Sequence, residues 1–151
     1  MRPWSFDVEI TRLAPEPVVE RTAGVDVHEA EAMVRAAADK ACLVMAAQRD
    51  GEAYGDDFYI WLAAGRAIVR RDAHREWYAA DPTSAASADD AEVEFRDEDG
   101  SSFTYPAAGT VSYAQAMDAF VYWLRTGELA PYLTWGSSVS EISAEDDTHG
   151  G

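Results

Sequence analysis

Three histidines, one cysteine and a large excess of carboxylates are the side chains of this chain that could do chemistry. His28-Glu29-Ala30-Glu31 sets a histidine beside a glutamate, but the second histidine that a zinc protease needs one helical turn later is absent. His74-Arg75-Glu76 has the spacing that opens a zinc deaminase signature, in which the histidine holds the metal and the glutamate moves protons. The Pro-Cys-x-x-Cys half of that signature is missing, and Cys42 lies upstream in apolar Ala41-Cys42-Leu43-Val44, where burial is expected. A lone cysteine also excludes an internal disulfide. No glycine-rich turn ends in Gly-Lys-Ser or Gly-Lys-Thr to cradle a phosphate, and the aspartates do not fall at EF-hand spacing. Asp97-Glu98-Asp99 could draw a divalent cation weakly, but with Gly100 behind it the segment reads as a turn. The expectation is therefore no catalytic residue, no metal and no cofactor; an enzyme is not predicted.

What remains is charge. In 151 residues, 28 acids face 12 bases, for a formal charge of −16. An acidic host cytoplasm or a salt-adapted surface is the plain explanation. The functional one is long-range steering towards a positively charged partner. Direct nucleic-acid binding is disfavoured, since phosphate contacts need a basic surface. Seven acids and one base fall between Asp89 and Asp99, and Asp89, Asp90, Glu92, Glu94, Asp97 and Asp99 are the leading partner-binding candidates. Asp56 and Asp57, read as just preceding a strand, are the reserve. The opening Met1 to Asp7 has no uninterrupted apolar core like that of a secretory signal, and no stretch is long enough to span a membrane, so the cytoplasm is expected.

The elements that must position these groups follow from periodicity. Trp4, Phe6, Val8 and Ile10 alternate with polar residues as a half-buried strand. Pro15 and Pro17 predict an irregular connection or an edge. Asp26 and Glu29 form a capping box for a helix whose apolar face is Val27, Ala30, Val34, Ala37 and Ala41. Cys42 to Ala47 reads as a strand, and Phe58 to Leu62, apolar on both faces, as the central one. Gly65 turns the chain into a partner at Ala67 to Arg71; Glu76 to Ala80 adds a strand, and Asp81 to Asp90 a surface loop.

Between Glu92 and Tyr105 a hairpin with a three-residue loop, Glu98-Asp99-Gly100, pairs Phe95 with Phe103 and Val93 with Tyr105. A two-residue turn would set Phe95 against Thr104, so the apolar pattern selects the longer loop. Ser112 and Gln115 cap a last helix with the stripe Tyr113, Met117, Phe120 and Leu124, ended by Gly127. A short strand towards Trp135 closes a single α+β domain over 1–137: a curved, mainly antiparallel sheet with two main helices on one face. Residues 138–151, with Glu145, Asp146 and Asp147, read as an acidic flexible tail.

Thr110-Val111-Ser112-Tyr113-Ala114-Gln115-Ala116-Met117, then Phe120, Leu124, Thr126-Gly127-Glu128 and Leu133-Thr134-Trp135 resemble the closing segment of immunity protein family 1. That family serves bacterial polymorphic toxin and contact-dependent inhibition systems. Ser112, Gln115, Phe120, Leu124, Gly127 and Trp135 carry the motif, which is structural and not catalytic. Leu129-Ala130 stand where the family commonly has Arg-Pro, with Pro131 one place later. Resemblance implies a protein that binds a cognate toxin domain, a basic nuclease or nucleic-acid deaminase, and blocks its substrate-binding surface. The alternative is an acidic α+β protein-binding or regulatory module unrelated to toxin immunity.

Overall fold

The computed structural model describes residues 5–13, 16–37, 40–50, 53–72, 76–80 and 92–136. The predicted loop at 81–90, His74, His149 and the predicted tail at 138–151 lie outside the described residues. Capping decides where both helices begin. Asp26 Oδ1 accepts from the Glu29 N–H at 2.8 Å, while Glu29 Oε1 accepts from the Asp26 N–H at 3.0 Å, and α1 runs Val27–Ala37. Ser112 and Gln115 form the same reciprocal box at 3.1 and 2.9 Å for α2, Tyr113–Thr126. Gly127 ends that helix at φ 77°, a left-handed cap whose N–H reaches the Trp123 carbonyl.

The described residues form ten strands, in chain order β1 Ser5–Leu13, β2 Pro17–Val25, β3 Leu43–Asp50, β4 Ala53–Ala63, β5 Arg66–Asp72, β6 Glu76–Ala80, β7 Glu92–Arg96, β8 Ser102–Pro106, β9 Val111–Ser112 and β10 Thr134–Gly136. Eight form one sheet in the order β10-β6-β5-β4-β3-β1-β2, with β9 on β5, and every pairing is antiparallel. β4 is central, as its two apolar faces predict. Of the two alternatives that Pro15 and Pro17 predict, the edge holds: Pro17 opens a nine-residue edge strand. A proline fits there because it is the first residue of an edge.

Both helices pack on one face. Phe6, Val8 and Ile10 of β1, Val44 and Ala46 of β3, and Phe58, Ile60 and Leu62 of β4 are buried with Ala30 and Val34 of α1 and Met117, Phe120 and Leu124 of α2. Trp123 joins them fully buried and makes the α2 stripe wider than predicted. Its ring centroid lies 5.5 Å from that of Phe6 and 5.2 Å from that of Phe58.

The β7–β8 hairpin has the predicted register, Phe95 opposite Phe103 and Val93 opposite Tyr105. It is a separate two-stranded sheet laid on the other face of the main one, with Phe95 buried among Cys42, Leu43, Trp61 and Ile68. The molecule therefore has three layers: helices, sheet, hairpin. At the hairpin loop Gly100 adopts φ 86°, and a Cβ there would stand 2.6 Å from Pro17 Cγ at the start of β2. Gly100→Ala is expected to cost about 1 kcal/mol or more in denaturant unfolding, from left-handed strain plus this clash. An unchanged midpoint would contradict the assigned loop.

Candidate functional site

Alternation along β4 sends its two acids, Asp56 and Asp57, to a closed face and an open one. Asp56 shares the helix-side parity of Phe58 and Ile60. It is buried, and its carboxylate takes a forked pair of hydrogen bonds from Arg71, Nε to Oδ1 at 2.9 Å and Nη2 to Oδ2 at 2.6 Å. Trp123 Nε1 donates to the same Oδ2 at 3.1 Å, and Arg71 Nη2 also donates to the Gly127 carbonyl at 3.1 Å. Asp56 is thus an internal tie and no reserve surface carboxylate. Nor does it precede the strand, which begins at Ala53.

Asp57 points the opposite way. Cross-strand register places Asp7 (β1) opposite Ala47 (β3), Ala47 opposite Asp57, Asp57 opposite Asp72 (β5), and Asp72 opposite Glu76 (β6). Four carboxylates from four strands form one row across the face that the helices leave open. The next row is mixed: Arg21, Glu9, Met45, Tyr59, Arg70 and Tyr78. A third row, Thr11, Leu43, Trp61 and Ile68, is buried and apolar but for Thr11. The hairpin covers it.

Arg70 is the cation at the centre of this surface. Its Nε stands 3.1 Å from Asp72 Oδ1, and its guanidinium lies 4.5 Å above the Tyr59 ring centroid and 5.1 Å above that of Trp61. Burial raises the Asp57 carboxyl above the usual range, and neighbouring Asp72 and Asp56 push it further. Burial likewise raises Asp72, with Arg70 pulling against it. Asp7 Oδ1 accepts from the Gly24 N–H at 3.1 Å.

Among the sequence candidates, Glu92 and Glu94 are exposed on β7, opposite in parity to Val93 and Phe95, with no ion-pair partner among the described residues. Asp97 and Asp99 build the loop. Asp97 Oδ1 accepts from the Glu98 N–H at 2.9 Å and Trp61 Nε1 at 3.4 Å, while Asp99 Oδ1 accepts from both the N–H and the hydroxyl of Ser101. Those Ser101 bonds hold the Asp99 carboxyl below its usual range. Asp89 and Asp90 lie outside the described residues. The motif residues of the last third serve structure: Phe120 and Leu124 are buried, and Trp135 Nε1 donates to the carbonyl of fully buried Ala130 at 2.8 Å. Asp72, Glu76, Asp7 and the Tyr59–Arg70 pair were not among the sequence candidates. They are spread over four strands, β1, β4, β5 and β6, and strand pairing brings them together.

Cys42 is buried, which raises its thiol pKa, and His28 is exposed in the first turn of α1. Among the described residues no three His, Cys, Asp or Glu side chains are grouped to hold a metal ion, and no helix is long and apolar enough to cross a membrane. No family model, no curated protein and no solved structure matches the chain.

The two neighbouring aspartates are expected to respond oppositely. Asp56→Ala strands the Arg71 charge and the Trp123 N–H, at a cost of about 3–5 kcal/mol in chemical unfolding. Asp57→Asn removes a like-charge cross-strand pair and is expected to gain ~0.5 kcal/mol at pH 7. A carboxyl with a raised folded-state pKa costs stability while ionised, so the gain should shrink as pH is lowered towards the ordinary value of 3.8. Thermal melts across that pH range test it; a destabilised Asp57→Asn at neutral pH would refute the reading.

Proposed function

We propose that this protein acts by binding, as an immunity protein that occupies the basic surface of a nucleic-acid-directed toxin and so keeps substrate out. The observation that carries the reading is the distribution of carboxylates. Asp57, Asp72, Glu76 and Asp7 line up on the open face of the sheet, and Glu92 and Glu94 are exposed on the hairpin laid over that same side. The overall charge of −16 gives the field that steers such an encounter. The resemblance of Thr110 to Trp135 to immunity protein family 1 supplies the biological role.

Directly opposed like charges are unfavourable in the free protein, and a partner's cations would relieve them. Interfaces of this kind gain mainly in association rate from exposed rim charges and in residence time from desolvated pairs. Glu92 and Glu94 belong to the first group.

The test is binding and protection against the toxin encoded beside this gene, measured at low and physiological salt. Glu92→Gln with Glu94→Gln is expected to slow association on the order of tenfold at low salt and to flatten the salt dependence. Circular dichroism should stay unchanged, because neither side chain is in the core. A double variant that binds and protects like wild type at both salts would remove the hairpin edge from the interface. No interaction with the adjacent toxin would remove the immunity role.

A further inference from the structure

A groove of about 400 Å³ opens where the hairpin loop stands over β1, β3 and β4. Its floor is Leu43, Met45, Tyr59 and Trp61, and its rim carries the carboxylates of Glu9, Asp97 and Glu98. Tyr59 and Met45 are half-exposed, and the Tyr59 and Trp61 rings lie nearly parallel, 5.6 Å apart with 12° between planes. An aromatic floor under a carboxylate rim suits one side chain above others. Arginine offers a flat, weakly hydrated cation that stacks on rings and forks to carboxylates, whereas lysine offers a compact, strongly hydrated charge.

The protein already holds one arginine this way. Arg70 stacks over Tyr59 and Trp61 and pairs with Asp72 at the groove's side. We infer that the groove receives an arginine side chain of the basic partner, its guanidinium against Tyr59 and its N–H groups towards the loop carboxylates. The inference rests on the reading above that the partner is basic, and adds the residue it uses and the place it enters. Acceptors remain for it. Asp97 makes its hydrogen bonds through Oδ1, leaving Oδ2 without one among the described residues, and Glu98 is exposed with no ion pair of 4.0 Å or less among them. Arg21, which also lines the groove, is paired with Glu9 at 2.8 Å and feels Glu98 only through space. The arriving cation therefore meets acids on the loop side. The row of Asp57 and Asp72 beside the floor adds attraction, with Arg70 its one counter-ion among the described residues.

The test uses octa-arginine and octa-lysine peptides, equal in charge, against the full chain at fixed ionic strength. Octa-arginine is expected to bind about fivefold tighter than octa-lysine, and Tyr59→Leu to abolish that preference. Glu98→Gln, an exposed loop change that leaves the core alone, should weaken octa-arginine more than Asp118→Asn, which removes the same charge from the helix side. Equal affinity for the two peptides, an unchanged preference in Tyr59→Leu, equal effects of Glu98→Gln and Asp118→Asn, or no binding of either peptide would each overturn the inference. The two readings fail separately. Toxin protection without arginine preference refutes only the groove, and arginine preference without toxin binding refutes only the immunity role.

Discussion

One buried ion pair fixes how the layers meet. Asp56 on β4 and Arg71 on β5 are drawn together on the helix side of the sheet, and through them Trp123 and the Gly127 carbonyl of α2 are held. Such a pair adds little net stability over apolar side chains of similar volume, but losing one partner is costly. Its value here is positional. It seats the last turn of α2 on two adjacent strands and orients Trp123 against Phe6 and Phe58. The guanidinium also places positive charge at a helix C-terminus, where the helix dipole favours it.

With the helices closing one face of the sheet, only its other face leaves strand side chains open to solvent. Strand alternation then sorts adjacent residues into opposite tasks: Asp56 is enclosed, while Asp57 belongs to the open carboxylate row. The sorting continues along β4, with Phe58 and Ile60 in the helix-side core and Tyr59 and Trp61 on the outer surface. Because the strand serves two packed faces, both parities are apolar near its middle, and the hairpin covers the apolar part of the outer one.

Much of this architecture is legible in the sequence, and each success has a local cause. Both helix starts follow from capping boxes, and the hairpin register from Phe95, Phe103 and the left-handed demand at Gly100. At β2 the prolines announce an edge but not its length, because Pro17 to Gly24 is mostly exposed and carries no apolar alternation. Asp56 and Asp57 are indistinguishable by composition; only extending the parity of Phe58 back through a longer strand separates them. The carboxylate row is a harder case. Its members are spread from Asp7 to Glu76, each unremarkable among 28 acids, and no local pattern announces that strand pairing will align them. Pairing across five strands is long-range information.

The two buried clusters, one around Trp123 and one around Phe95, share no residue and are separated by a sheet a single layer thick. A hairpin that lifted away as a unit would leave the helix-side cluster intact, a sub-global opening of the kind that costs less than complete unfolding. Backbone amides of β7 and β8 would then exchange with solvent before those of β4. The indole of Trp61, bonded to Asp97 and walled by Phe103 at 6.4 Å, would be uncovered in that event. Its emission would follow the outer layer's docking rather than the melting of the whole domain.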